Sequence, residues 1–342
     1  RSTTVMANNI SDISPSNCLF LDTNLQPLPY ISVANIVACV VNAIFAFIAA
    51  SSNAIVLISV WKSPSLHTAQ NTLLCSVAFT DLLVGAVIQP LDVVQRIMEE
   101  TKNIEIYCRI RLAKNSLAWI ISSVSFFILT TISAERLVAL LKPFQHTRLV
   151  THRRILHLVF SFWVVCAIIS LPRFFGLSNK VFFIIASILV FANLAIIAVS
   201  YFRIFQVIKL HQRRIDHEES LRSHFHGKMA EADMKRYKTF TVTAAYVIGL
   251  VALFYIPFIC YLVAYAMLGF TGPVKFTYIC IETLSFVNSS INPFVYSYRL
   301  RNIRKAIVRT LHLAKPMSSR RNSFSRRGEV VDVRSRHVSY QN

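Results

Sequence analysis

The chain has 342 residues, 54% of them apolar and only 15% charged, and Lys plus Arg exceed Asp plus Glu by 20. A soluble domain of that size needs more charge to cover its surface, so the composition excludes one and points to the membrane. The basic residues lie between and after the apolar blocks, which selects an acidic membrane surface over nucleic acid as their partner.

Residues 1–30 read as a polar arm carrying the sequon Asn9-Ile10-Ser11, a glycosylation acceptor if the arm is extracellular. Seven apolar stretches follow: 31–60, 72–93, 115–134, 155–172, 181–202, 239–271 and 276–298. Each approaches or exceeds the roughly 20 residues that a helix needs to cross the hydrocarbon core. Open backbone does not cross lipid, and the stretches are too long for barrel strands, so each is predicted helical. The expected fold is an all-α membrane protein, a seven-transmembrane helix bundle over 31–298. Seven spans place the two termini on opposite sides. Lys62, Lys142, Arg148, Arg153, Arg154, Arg213, Arg214 and the basic tail mark one side as cytoplasmic. The N-terminus is then outside, as in a multi-pass plasma-membrane protein. The polar segment 210–233 is expected to prolong the fifth and sixth helices. Residues 299–313 form a short amphipathic eighth helix on the inner leaflet: Leu300, Ile303, Ile307 and Leu311 share a face, with Arg301, Arg304, Lys305 and Arg309 between them. The Ser/Arg-rich stretch 314–342 reads as a disordered cytoplasmic tail.

An ionisable group inside a span is a functional candidate by default. Asp81 is the clearest, and Asn53, Ser125, Asn288, Ser289 and Asn292 are polar residues available to surround it. Such a ring suits a small cation or water, or is simply a hydrogen-bonded plug between helices. Glu135-Arg136 ends the third span, either as an anchoring ion pair or as a switch. Pro257 and Pro293 each remove a helix hydrogen bond and bend the sixth and seventh spans. No CxxC pair or Cys/His cluster suggests a metal. A pump would need a chain of ionisable groups, and an intramembrane enzyme would need paired catalytic groups. Neither appears at depth, so no enzymatic activity is expected, and a transporter is the weaker alternative.

Several motifs then carry a resemblance. Asn292-Pro293-Phe294-Val295-Tyr296 resembles the NPxxY motif of rhodopsin-like (class A) G-protein-coupled receptors, and Glu135-Arg136-Leu137 resembles their E/DRY motif. Asn53-Ala54-Ile55-Val56-Leu57, Ala78-Phe79-Thr80-Asp81-Leu82-Leu83, Trp163 and Phe254-Tyr255-Ile256-Pro257-Phe258 are similar to the family's motifs on the first, second, fourth and sixth helices. The resemblance implies a receptor that binds an extracellular ligand and activates heterotrimeric G proteins by outward motion of the sixth helix. It implies switch roles for Glu135, Arg136, Tyr201, Tyr255, Pro257, Asn292, Pro293 and Tyr296. It also implies a sodium site at Asp81, Ser125, Asn288, Ser289 and Asn292. Phosphorylation of Ser323 or Ser325 by receptor kinases would suit arrestin binding; a non-coupling or arrestin-biased receptor is an alternative.

The chain departs from the family in places. The second outer loop, about 173–180, holds no cysteine, so the usual disulfide to it cannot form; Cys18 and Cys280 are the candidate partners for Cys108. The fifth helix lacks its proline, with Asn193 near that place. Both features resemble the melanocortin, cannabinoid, lysophospholipid and adenosine receptor group. The sixth-helix tryptophan is Tyr255, and an acidic partner for Arg136 on the sixth helix is missing, so measurable basal signalling is expected. The place of the amine-binding aspartate is Ala118, and that of the retinal lysine is Phe286. Retinal is excluded as a cofactor, and an amine ligand is disfavoured against an anionic lipid or a peptide. Lys114 and Glu282 are expected to face each other as a salt bridge. The sharper alternative has Lys114, supported by Arg111, binding a ligand anion, or Glu282 binding a ligand cation. Ala118, Trp119, Ser122, Phe258, Tyr261 and Tyr265 are expected to line the same cavity.

Overall fold

A computed structural model describes residues 28–171, 179–221, 249, 253 and 256–313. Among them there is no strand. The spanning helices, called first to seventh, are Pro29–Trp61, Ala69–Glu100, Ile104–Leu141, His152–Ser170, Asn179–Leu221, Ile256–Leu268 (the described part of the sixth) and Gly272–Arg299. A short loop helix, Pro143–Leu149, joins the third to the fourth, and a terminal helix, Arg301–Leu313, follows the seventh. The first five spanning helices are long and apolar enough to cross a bilayer. The seventh is more polar, yet its 28 residues reach about 42 Å at 1.5 Å per residue. The expected seven-helix bundle with an amphipathic eighth helix is the fold.

Local chemistry sets the helix starts. Pro29 sits in the first turn, where its missing N–H has no intrahelical role. The Thr68 hydroxyl accepts from the Asn71 N–H to open the second helix, and the Asn103 side chain accepts from the Ile106 N–H to open the third. Between the second and third helices Lys102 turns the chain at φ 56°, and Gly269 does so at φ 69° between the sixth and seventh.

The second helix is interrupted by a π-helical stretch, Val84–Ile88. Such a bulge rotates everything beyond it relative to an unbroken α-helix. Past it, Gln89, Asp92, Gln95 and Arg96 are buried while Val94 and Ile97 are exposed. The amphipathicity is therefore inverted, with polar residues inward and apolar residues outward toward lipid. Gly85 lies in the bulge. A Cβ there would stand 2.7 Å from the Ala50 nitrogen and 2.8 Å from the Ala49 Cβ, so the first and second helices meet backbone to backbone.

Below this level the helices pack through apolar clusters. Leu73, Val77, Val124, Ile128, Ile155, Val159 and Cys166 join the second, third and fourth helices. Phe126, Ile197, Tyr201 and Ile204 join the third and fifth. The fifth helix runs on to Leu221, as expected of the polar segment after Leu210, while the expected extension of the sixth lies outside the described residues. The terminal helix buries Ile303 and Ala306, the latter against Val60 and Leu66, and leaves Arg301, Arg304, Lys305 and Arg309 exposed.

Candidate functional site

The buried polar residues of the bundle form three tiers. The outer tier is a charge cluster among the first, second, third and seventh helices. Its centre is four side chains, Asp92, Arg96, Lys114 and Glu282, which are 0%, 2%, 0% and 8% exposed. Arg96 Nε donates to Asp92 Oδ2 at 2.7 Å, and its Nη2 donates to Asp92 Oδ1 and Glu282 Oε2, both at 3.1 Å. Lys114 Nζ bridges the same two carboxylates, at 3.0 Å to Asp92 and 2.8 Å to Glu282. The Tyr278 hydroxyl donates to Glu282 at 2.7 Å, and the Asn42 amide to Asp92 at 2.8 Å. Asn35 accepts from Arg96 at 3.1 Å and donates to Glu100 at 2.8 Å. Further out, Lys275 pairs with Glu99.

Two cations thus meet two anions with no net charge. Burying one charge costs several kcal/mol, and only mutual pairing with further hydrogen bonds offsets that. Lys114 and Glu282 do face each other, as the salt bridge the sequence suggested. Asp92 and Arg96 were missed because they look like the polar end of an apolar helix. Their four-residue spacing on one helix face was the available signal.

Beside the cluster runs a column of aromatic rings. Trp119 meets Phe182 at 5.1 Å and Phe258 at 5.8 Å between centroids. Phe258 meets Tyr261 at 6.2 Å, and Tyr261 meets Tyr265 at 6.2 Å and Tyr278 at 5.2 Å. Phe270 closes the outer end, 5.4 Å from the Arg111 guanidinium. The expected Trp119, Phe258, Tyr261 and Tyr265 are together; Phe182, Phe270 and Tyr278 join them unforeseen. Ser122 is exposed, whereas Ser123 lines a small cavity with Trp119, Phe182 and Asn193. Ala118 packs into an apolar cluster with Val84, Ile88, Ile121 and Phe286.

The middle tier centres on Asp81, which is buried. Asn292 donates to its Oδ2 at 2.7 Å, and Ser289 stands alongside. Asn53 of the first helix donates to the Ser289 carbonyl at 3.0 Å, tying three helices at one level. The Oδ1 atoms of Asn53 and Asn288 are buried and accept nothing. A buried carboxylate beside a serine and a carboxamide, with the orphaned Asn53 oxygen at the same level, is a donor set that fits Na⁺, whose bound charge would hold the second and seventh helices together. Ser125 is half-buried on the third helix.

The inner tier is Glu135-Arg136. Arg136 Nε lies 3.5 Å from Glu135 Oε2, and the Gln70 carboxamide lies against the same guanidinium, its oxygen accepting in the amide orientation that satisfies both groups. Tyr201 is buried nearby, beside Ser133. Pro257 follows Ile256 at the start of the described part of the sixth helix, and Pro293 lies inside the seventh. Tyr255, Asn9, Ser323 and Ser325 lie outside the described residues, as does the side chain of Tyr296. Cys108 is disulfide-bonded. Cys280 is free and exposed on the seventh helix, which removes it as the partner; Cys18 lies outside the described residues.

Polar tiers at three depths in an apolar helical bundle define a multi-pass membrane protein. The family 7 transmembrane receptor (rhodopsin family) matches residues 52–183 and 177–296, and the chain belongs to it. Its relatives include the histamine H2 receptor of Homo sapiens, 25% identical over 297 residues, covering 80% of this chain and 79% of that one. The alpha-1D adrenergic receptor of Homo sapiens is 23% identical over 317 residues, covering 79% of this chain and 55% of that one. Trace amine-associated receptor 4 of Rattus norvegicus is 25% identical over 279 residues, covering 75% and 79%. None of these three is from the group that the fifth helix and outer loop resemble. The chain is a G-protein-coupled receptor in a lipid bilayer, not an enzyme.

Proposed function

We propose that this receptor sits in the plasma membrane with its N-terminus outside, and that an extracellular ligand frees Arg136 for the G protein as the sixth helix swings outward about Pro257. The hold on Arg136 by Glu135 and Gln70 is the observation that carries this. Such a contact joins the third helix to the second and must break for the arginine to turn to a partner. Ligand binding then acts by population shift between held and released states. Asp81 with Asn292 is the intervening station, and Na⁺ there would favour the held state.

The ligand is an apolar or aromatic body with an anionic group, a lipid phosphate or carboxylate, rather than a protonated amine. The names of the relatives point to amines. In this chain, however, the amine-anchor position is Ala118, packed against Phe286 in an apolar cluster. The carboxylates of Asp92 and Glu282 are each already neutralised by Arg96 and Lys114. What the column offers is aromatic surface with Arg111 at its outer end. Lys114 lies inside the charge cluster, whereas Arg111 stands over the Phe270 ring at the outer end of the column, where a ligand's anionic group would enter, and is the cation assigned to it. Receptor kinases and arrestin acting through Ser323 and Ser325, and a glycan on Asn9, complete the proposal.

Nucleotide exchange on heterotrimeric G proteins in membranes carrying the receptor tests it, with Arg136→Ala as the inactive control and separate pools of anionic lipids, peptides and amines. The expected result is a lipid response that Arg111→Ala removes. Activation by the amine pool alone would overturn the ligand assignment. Exchange no greater than the control under all pools, with receptor at the surface, would overturn coupling to those G proteins.

A further inference from the structure

The switch carboxylate has a second partner. His146 stands on the loop helix Pro143–Leu149, and its Nε2 lies 2.8 Å from Glu135 Oε1. The other carboxylate oxygen, Oε2, is buried without a hydrogen bond, because Arg136 Nε lies 3.5 Å away. Glu135 is therefore bonded to His146 and only ion-paired to Arg136. The imidazole is 23% exposed and the carboxylate 5%. A cytoplasmic proton can reach the ring while the carboxylate stays out of water.

We propose that His146 is a positioning residue for the coupling switch: its protonated imidazolium competes with Arg136 for Glu135, so coupling rises as cytoplasmic pH falls. This rests on the G-protein reading above. A neutral imidazole with its proton on Nε2 donates to Glu135 and leaves the full carboxylate charge to hold Arg136. Protonation makes the His146–Glu135 pair neutral overall and sets a second cation beside the guanidinium. Both changes loosen Arg136, and neither requires the loop helix to move. Histidine is the side chain whose ordinary titration falls near neutral pH.

Other charged groups near the ring do not replace it. Glu135 and Arg136 come from the third helix, the neutral Gln70 of the second helix meets the Arg136 guanidinium, and His152 of the fourth helix is bonded to Thr72 of the second. Tyr201 of the fifth helix neighbours Arg136. Arg154 of the fourth helix is spent on the carbonyls of Arg148 and Leu149, and Lys142 and Arg148 are exposed. Among the described residues, Glu135 is the only carboxylate that His146 pairs with.

Two measurements test this. The first is basal nucleotide exchange from about pH 6 to about pH 8, in the receptor, His146→Gln and His146→Arg. Exchange in the receptor should rise roughly twofold to fivefold toward acid, the range open to a partly exposed ion pair. His146→Gln, which keeps a donor without charge, should give a flat low profile. His146→Arg, permanently charged, should give a flat raised one. A His146→Gln profile as steep as that of the receptor would overturn the proposal.

The second measurement needs no G protein, so it stands if coupling itself fails. The His146 imidazole is titrated by NMR in the full-length receptor in detergent. Competition is reciprocal: Arg136→Ala should raise the titration midpoint, and Glu135→Gln should lower it. An unchanged midpoint in both variants refutes the proposal, whatever the exchange assay shows.

Discussion

Replacing Lys114 by methionine removes one of two cations facing two buried carboxylates. Asp92 and Glu282 would then share Arg96 alone, leaving one uncompensated negative charge where the side chains are at most 8% exposed. Breaking a buried pair from one side costs about 3–5 kcal/mol, which for a chain of this size lowers the melting temperature by on the order of 10 °C. The paired change Lys114→Met with Glu282→Gln restores neutrality, one cation against one anion, and keeps a side chain able to accept from Arg96. It should recover more than half of the loss. The assay is thermal unfolding of detergent-solubilised receptor, with surface expression as a second reading. A single variant as stable as the parent, or a paired variant no better than the single one, would refute the account of the outer tier as a self-neutralising cluster.

Sodium should raise the melting temperature of the receptor relative to choline at equal ionic strength, by linkage of about 2.7 kcal/mol when the ion is at a hundred times its dissociation constant. Asp81→Asn should abolish that difference; a sodium effect that survives it places the ion elsewhere. Gly85→Ala should destabilise by about 1–3 kcal/mol from overpacking, because the new Cβ meets the Ala50 backbone nitrogen at 2.7 Å, which cannot rotate away. Thermal unfolding checks this, and a neutral result would mean that the first and second helices are free to separate.

Much of the fold was legible because lipid imposes a simple requirement. Every backbone polar group must be paired within its own segment, so long apolar runs can only be helices. Asp81 with Asn292, and Glu135 with Arg136, were legible as motifs. The outer tier was half legible. Lys114 and Glu282 stood out as charges within apolar spans, but Asp92 and Arg96 did not. Their inward direction comes from the π-helical stretch at Val84–Ile88, a one-residue change of register that composition does not announce. Ser122 and Ser123 show the same limit: adjacent on a helix, they point about 100° apart, and a small error in helical phase exchanges them.

His146 illustrates what sequence alone withholds. It lies eleven residues beyond Glu135 in a basic loop, indistinguishable there from a solvated histidine. Only the fold-back of the loop helix brings the ring to the carboxylate. The sequence by itself determined the number of spans, their order and the motif residues Asp81, Asn292, Glu135 and Arg136, because those follow from hydropathy and from contiguous motifs. The tertiary structure decided which charges neutralise one another. Electrostatic pairing depends on distances between helices far apart in sequence, and no local pattern encodes these.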